Sequence, residues 1–225
     1  MALNETFQPA VRAHTSLLAD AEKRALIWIA QRLPAWVNSD HLTGLGFVAL
    51  LAAGAGYWYS RWYPPALIAV IVFLAVNWFG DSLDGTLARV RNRQRPRYGF
   101  YVDHILDALG MFFLMGGIAL SGYMTPAVAG AFLIVYLLLS IEIYLATYTV
   151  GTFHLSYWRF GPTELRILLI IGNLFVLRQP FATIAGRQFL LFDIGFAIGA
   201  VALGAILLQA VVKHTTLLYK QETKP

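Results

Sequence analysis

Four aspartates of this sequence stand in two pairs, Asp81 with Asp84 and Asp103 with Asp107. On α-helices, spacings of three and four residues place both members of a pair on one helix face. One apolar run precedes the first pair and another follows the second, so the pairs lie where two predicted membrane helices reach an aqueous boundary. Ionisable groups are costly at that position and therefore indicate a functional site.

The chemistry that these residue types favour is the binding of hard metal ions. If the two carboxylate faces converge, four ionised groups repel one another, and divalent cations relieve the repulsion. Oxygen ligands without cysteine or paired histidine favour Mg²⁺ or Mn²⁺, and two such ions could clamp a diphosphate. Small residues follow each pair, Gly85 and Ala88 after the first and Gly110 after the second, which predicts room for a ligand.

The same stretch resembles the signature of the CDP-alcohol phosphotransferase family. The resemblance rests on Asp81-x-x-Asp84-Gly85-x-x-Ala88-Arg89 followed by Gly99-x-x-x-Asp103-x-x-x-Asp107. One departure is visible: nine residues separate Arg89 from Gly99, one more than most members of the family have. The additional residue falls in the turn and affects the expected seating of that loop more than the metal site.

The resemblance implies a metal-dependent transferase that moves a substituted phosphoryl group from a CDP-linked donor to an alcohol and releases CMP. It implies two Mg²⁺ or Mn²⁺ ions bound by Asp81, Asp84, Asp103 and Asp107, and a further role for Asp107 in taking the proton of the alcohol. It also implies nucleotide contacts at Gly85, Ala88 and Arg89, a close backbone approach at Gly99, and a homodimer surrounded by membrane lipids.

The motifs leave open which substrate carries the lipid. The length and the predicted number of spans resemble microbial enzymes that use CDP-diacylglycerol and a small alcohol, such as a polyol or its phosphate. In contrast, Asp103-His104 and the segment Gly161-Pro162-Thr163-Glu164 resemble the branch that uses CDP-ethanolamine or CDP-choline with diacylglycerol. We expect the first substrate pair and keep the second as an alternative.

The composition is that of an integral membrane protein, with 58% hydrophobic and 13% charged residues in a chain of 225. Apolar runs near the roughly 20 residues that cross a bilayer lie at 42–60, 64–89, 100–121, 126–149, 162–178 and 189–212. We therefore predict an all-α fold with one catalytic domain of six transmembrane helices over 42–212. A juxtamembrane segment, 1–41, precedes it and a cytoplasmic tail, 213–225, follows.

The segment before the first span predicts an amphipathic helix on the membrane surface. Residues 10–33 can place apolar side chains on one face, and Pro34 ends the helix. The predicted apolar face consists of Leu17, Leu18, Ala21, Ala25, Trp28 and Ile29. An alternative is a solvated helix that packs on nothing. The segment has no continuous apolar region before a cleavage site, so we expect no secretory signal.

The distribution of basic residues predicts the orientation. An even number of spans with the amino terminus inside places 1–41, 89–99, 150–161 and 213–225 in the cytoplasm, with most of the 17 lysines and arginines. The positive-inside rule then puts both termini and the aspartates on the cytoplasmic side, at the inner membrane in a bacterium. The arginine-rich turn offers no element that reads a nucleic-acid groove, so nucleic acid is not an expected partner.

Candidates for the acceptor site are Asn77, Glu142, Glu164 and Arg166. Asn77 lies one turn before Asp81 and could orient a carboxylate, or pack helices through a buried amide. Glu142 is an ionisable residue within a span, which favours either a place in the substrate pocket or a pair with Arg159 or Arg166.

The last two candidates belong to one predicted helix start. Glu164 fits the first turn after Pro162, where an acidic side chain faces the positive end of the helix dipole. Arg166 is expected to point inward at the depth of the aspartates. Both are therefore candidate acceptor contacts, although the helix start alone nearly explains Glu164.

Two other classes of protein stay open. A small cation-coupled transporter could also carry acidic residues, but such sites usually lie near the bilayer midplane on broken helices, whereas these aspartates cluster at one face. An inactive membrane scaffold would tolerate loss of the aspartates. Release of CMP from CDP-alcohols distinguishes both from the enzyme.

Overall fold

The computed structural model describes residues 11–13, 19–154 and 162–222. Seven helices lie within these ranges: α1 (Ala19–Ala30), α2 (Ser39–Ser60), α3 (Ala66–Val90), α4 (Pro96–Ser121), α5 (Pro126–Val150), α6 (Pro162–Arg178) and α7 (Leu191–Gln221). Four short strands accompany them: β1 (Val11–Ala13), β2 (Thr152–His154), β3 (Phe181–Ile184) and β4 (Arg187–Leu190). The structure is therefore helical, as the sequence predicts.

Among the described residues, five helices are long and apolar enough to cross a membrane: α2, α3, α4, α5 and α7. The fifth predicted span corresponds to α6, which has 17 residues and directly follows the undescribed residues 155–161. The count of six spans is therefore not confirmed. The last helix has 31 residues and continues to Gln221, beyond the predicted end of the span at 212.

The strands form two small sheets, which the sequence analysis does not predict. Strands β3 and β4 pair antiparallel, with Ile184 opposite Arg187. Their two connecting residues, Ala185 and Gly186, both have positive φ, 49° and 77°, which is the geometry of a tight type I′ hairpin. Strands β1 and β2 pair parallel, with Val11 opposite Thr152.

The amino-terminal helix differs from its prediction. Residues 11–13 form β1, so a continuous helix from residue 10 is wrong. Of the α1 side chains that the structure describes, Leu26 and Ala30 are buried, whereas Ala25 and Trp28 are exposed. Of the other residues predicted on the apolar face, Ile29 is half-buried. Leu17, Leu18 and the side chain of Ala21 are not among the parts of the chain that the structure describes.

Helix α1 packs on α3, so the alternative of a helix packed on nothing is also wrong. Leu26 and Ala30 share a core cluster with Leu83 and Leu87. Arg91 fixes the chain after α1, because its guanidinium donates to the carbonyl oxygens of Leu33 (2.8 Å), Pro34 (3.0 Å) and Val37. These carbonyls lie in the segment that connects α1 to α2. Arg91 therefore satisfies acceptors that have no hydrogen-bond partner within a helix.

Glycines bring the backbone of α2 against two neighbouring helices. A Cβ on Gly80 would lie 2.6 Å from the carbonyl oxygen of Leu42, and one on Gly117 would overlap the carbonyl of Gly54. Such close contacts between small residues are a common means of helix association in membranes. Helix α2 therefore packs closely against both α3 and α4, the helices that carry the two aspartate pairs.

Helices α5 and α7 run in the same direction. Near their amino-terminal ends, Asp193 accepts hydrogen bonds from the backbone N–H (2.7 Å) and the hydroxyl (3.3 Å) of Thr125. Farther along, His214 meets Glu142, with Nδ1 2.5 Å from Oε1. Two polar contacts about five helical turns apart thus fix the register of this pair.

Candidate active site

The ends of several helices meet at one end of the bundle. The hydroxyl of Thr43, in the first turns of α2, donates to Asp84 Oδ2 near the end of α3 (2.6 Å), and the hydroxyl of Ser39 donates to the Asp84 carbonyl (2.7 Å). Arg166, in the first turns of α6, reaches Asp81 of α3. Asn38 positions Ser39 and Thr43, because it forms a reciprocal capping box with His41 at the start of α2.

The four aspartates border one cavity of about 20 Å³, which has room for a water molecule or an ion of similar size. Its lining consists of Thr43, Gly46, Phe47, Leu50, Asn77, Asp81, Asp84, Asp103, Leu106 and Asp107. The two carboxylate pairs thus face a shared space, as their spacing on neighbouring helices predicts. The roles of the individual aspartates remain predictions.

The space predicted beyond Asp107 is not available to a ligand. A Cβ on Gly110 would overlap the side chain of Leu50, so this glycine makes room for α2. Gly85 is different, since a Cβ there would meet its nearest neighbour, the Arg89 guanidinium, at an ordinary 3.4 Å. The free room therefore lies beside Gly85.

A cleft of about 720 Å³ adjoins the aspartates and is bordered by Asp81, Asp84 and Asp103. All four residues predicted to contact the nucleotide line it: Gly85, Ala88, Arg89 and Gly99. A Cβ on Gly99 would meet no atom within 4 Å, so the backbone there is open to the cleft. Arg89 donates to the hydroxyl of Thr86 (3.0 Å).

The remaining cleft lining combines cations with aromatic rings. Arg93 and Arg95 contribute positive charge, and Tyr98, Phe100, Tyr144 and Tyr148 contribute rings. Arg95 forms an ion pair with Asp40 and lies over the Tyr98 ring, 4.2 Å from its centroid. A cleft with this lining suits a ligand that carries phosphate and a flat base.

Asp81 is held by a chain of three polar contacts. Arg166 Nη2 lies 2.5 Å from Asp81 Oδ2, and Arg166 Nε donates to Asn77 Oδ1 (2.9 Å). Asn77 in turn donates to the carbonyl of Gly46 on α2 (3.0 Å). Asn77 thus joins α2 and α3 through a buried amide, and it contacts Arg166 rather than a carboxylate. Its role at the acceptor site remains a prediction.

The donor set fits hard metal ions in type, since the aspartates present oxygen ligands around one small cavity. The side chains are not drawn together as in a loaded site: no group of three acidic or histidine side chains among the described residues is close enough to hold an ion. Asp81 is one reason, because Arg166 binds it. Loading an ion would therefore require the carboxylates that border the cavity to move closer together.

Glu142 lies apart from this site. Its Oε1 pairs with His214, and Oε2 is buried without a hydrogen-bond partner among the described residues. One predicted partner, Arg166, binds Asp81 instead, and the other, Arg159, lies outside the described residues. Glu164 is buried in the first turn of α6, the position that its helix-start pattern predicts.

Sequence reasoning missed Thr43, His214 and Glu22. Glu22 Oε1 accepts hydrogen bonds from Trp78 (2.9 Å), Thr163 (2.9 Å) and Ser82 (3.3 Å), so it joins α1, α3 and α6 beside the cleft. From the sequence alone, Glu22 is expected to face solvent, because it lies among other charged residues on an amphipathic helix. Only the packing of α1 on α3 distinguishes it.

A family model described as CDP-alcohol phosphatidyltransferase matches residues 38–213. The chain belongs to this family. The match begins at the cap of α2 and includes all eight motif positions, so it confirms the resemblance seen in the sequence. Five long apolar helices and membership of a membrane-bound family together make this an integral membrane protein.

The chain is also similar to a protein named archaetidylinositol phosphate synthase from Methanothermobacter thermautotrophicus. The identity is 34% over 117 residues, which is 52% of this chain and 50% of that protein. The chain thus spans about half the length of the curated relative that it matches.

Proposed function

We propose that this CDP-alcohol phosphatidyltransferase family member transfers the phosphatidyl group of CDP-diacylglycerol to a polar alcohol, with release of CMP. The observation that carries the proposal is the position of the four aspartates, which border one cavity beside a cleft lined by every predicted nucleotide contact. The similarity to a protein named archaetidylinositol phosphate synthase supports a polyol or its phosphate as the acceptor.

In the proposed site, Asp81, Asp84, Asp103 and Asp107 hold two Mg²⁺ or Mn²⁺ ions. Bound ions would neutralise the diphosphate and stabilise the oxygens that enter and leave phosphorus. Thr43 holds the Asp84 carboxylate in place through its 2.6 Å hydrogen bond. Arg89 lines the cleft and would bind a phosphate oxygen with its planar fork, and the open backbone at Gly99 would leave room for the nucleotide.

The reaction replaces one phosphorus–oxygen bond by another. The acceptor hydroxyl oxygen bonds to the phosphorus next to the diacylglycerol, the bond from that phosphorus to the CMP oxygen breaks, and CMP leaves. Asp107 takes the hydroxyl proton. It borders the small cavity and not the larger cleft, which suits a residue that contacts the reacting atoms and not the nucleotide.

We further propose that the cleft opens to the cytoplasm, where nucleotides are, and that both termini lie on that side. Support comes from the arginines at the end of α3 and in the turn that leads to α4, because Arg89, Arg93 and Arg95 line the cleft. A homodimer is expected from the family and is part of this proposal.

The decisive assay is release of labelled CMP by the purified protein in detergent or lipid nanodiscs with Mg²⁺. One arm supplies CDP-diacylglycerol with a panel of polyols and polyol phosphates, and the other supplies CDP-choline or CDP-ethanolamine with diacylglycerol. CMP release in the first arm supports the proposal. Release only in the second arm reverses the assignment of the lipid, and no release in either arm contradicts transferase activity and favours a transporter or a scaffold.

A further inference from the structure

One of the aspartates that border the cavity is paired with an arginine of the protein itself. Arg166 enters from α6 and forms an ion pair with Asp81 on α3. The side chains are only 14% and 25% exposed, so little water screens their attraction. A carboxylate oxygen that the proposed function assigns to a metal is thus already occupied by a guanidinium.

The position of Arg166 is fixed from a second side. Its Nε donates to Asn77 Oδ1, and Asn77 is itself buried and bound to the Gly46 carbonyl. The guanidinium is therefore oriented by α2 and α3 together, and its contact with Asp81 does not depend on a flexible surface side chain. Asn77 also lines the small cavity, which places this support at the site itself.

An ion loaded among the aspartates would meet a positive charge a few ångströms away. Two cations at that separation repel strongly even at the effective permittivity of a partly buried site. The same guanidinium stabilises the empty site, because it offsets part of the repulsion among the carboxylates. Arg166 therefore favours the empty state over the loaded one.

We propose that Arg166 is the built-in counter-cation of the aspartate cavity and competes with a divalent ion for Asp81. Loading the ion displaces the guanidinium from Asp81, and loss of the ion returns it. Arg166 is a positioning residue in this scheme, since it acts through Asp81. The inference rests on the proposed function, from which it takes the metal.

The opposite role would be that of an orienting residue. Hydrogen bonds to a ligating carboxylate commonly fix its direction and support metal affinity. In that role, removal of Arg166 weakens the binding of the ion. As a competitor, its removal strengthens binding, so the sign of the change separates the two.

The test is a Mn²⁺ titration of detergent-purified protein, in which the electron paramagnetic resonance signal of free Mn²⁺ reports the unbound ion. Arg166→Met removes the charge, Arg166→Lys keeps it, and Arg178→Met is the matched control at the other end of α6. We expect Arg166→Met to bind Mn²⁺ at least about tenfold more tightly than wild type, because the repulsion is gone. Arg166→Lys and Arg178→Met should remain near wild type.

Weaker or unchanged binding in Arg166→Met overturns the proposal, as does an equal gain in Arg178→Met, which would be a general charge effect. Asp81→Asn separates this failure from failure of the proposed function. If Asp81→Asn binds Mn²⁺ as wild type does, the proposed metal site is wrong. If Asp81→Asn binds weakly and Arg166→Met gains nothing, only the competition is wrong.

A measurement on the wild-type protein keeps the test independent of variant folding. Phenylglyoxal modifies free guanidinium groups, and mass spectrometry locates the adduct. We expect modification of Arg166 to increase several-fold when Mn²⁺ is added, whereas Arg178 should not change. Equal modification of Arg166 with and without bound Mn²⁺ contradicts the displacement.

Discussion

Two clusters of buried ionisable side chains in the described part of the bundle are built in opposite ways. In the aspartate cavity, four carboxylates face a common space beside an open cleft, and one arginine neutralises part of their charge. In the pair of Glu142 with His214, an acid and a histidine meet directly between α5 and α7, at 2.5 Å and with side chains 10% and 11% exposed. The first arrangement leaves room for a ligand, whereas the second joins two helices.

The difference shows what a buried charge in a membrane span can and cannot indicate. Both clusters satisfy the rule that such charges mark function. The rule does not distinguish a ligand site from a structural pair, because it considers only the free energy that burying an ionisable group costs. It does not consider whether there is open volume beside the group. Open volume and the nearest partner decide between the two.

The largest effect that tests this comparison is expected from Asp107→Asn. Loss of the group that takes the proton should lower CMP release about 100- to 10,000-fold, while binding of a CDP-alcohol largely persists. Glu142→Gln is the control in the other cluster and should retain its rate per folded molecule. Labelled CMP release and equilibrium binding of the donor give the two readouts. Full activity in Asp107→Asn would remove its assigned role.

The second prediction concerns the stability of the closed pair. His214→Leu should lower the free energy of unfolding by about 3–5 kcal/mol, because it leaves Glu142 buried without its partner. The double variant Glu142→Leu/His214→Leu should recover most of that loss, since an apolar pair of similar size can replace a buried pair of polar side chains. Thermal unfolding in detergent measures both. A double variant as unstable as the single one would mean that this pair has a role beyond joining α5 and α7.

The third prediction uses two adjacent glycines of α4. Gly117→Ala should cost about 1–3 kcal/mol and lower activity, because the added methyl group overlaps the Gly54 carbonyl and pushes α4, which carries Asp103 and Asp107, away from α2. Gly116→Ala is its control, since a Cβ there meets nothing within 4 Å. Equal melting temperatures of the two variants would contradict the close α2–α4 contact.

Much of the candidate site could be predicted because its signal is local. Helical spacing places each aspartate pair on one face, and the motif names the positions that line the cleft, including Gly85 and Gly99. The length and composition of the apolar runs locate the helices, with ends shifted by a few residues. The inward direction of Arg166 also follows from its place one turn inside a predicted helix.

What could not be predicted depends on contacts between distant segments. The sequence predicts space for a ligand beside Gly110, but the side chain of Leu50 from another helix fills that space. Glu142 pairs with His214, which is 72 residues away in the sequence. Helix α1 buries Leu26 and Ala30, whereas Trp28 is exposed. Periodicity alone gives a helix an apolar side, but the neighbouring helix selects which residues are buried.

The central claim is that the aspartate cavity binds the ions on which phosphatidyl transfer depends. The most direct measurement is the rate of CMP release from CDP-diacylglycerol as Mg²⁺ or Mn²⁺ is titrated into metal-free protein, for wild type and Asp81→Asn. The account predicts no release without metal, saturation in wild type, and a shift of at least about tenfold to higher metal concentration in Asp81→Asn, in line with the loss of one carboxylate ligand. Unchanged release in the presence of a chelator, or identical titration curves for the two proteins, would contradict it.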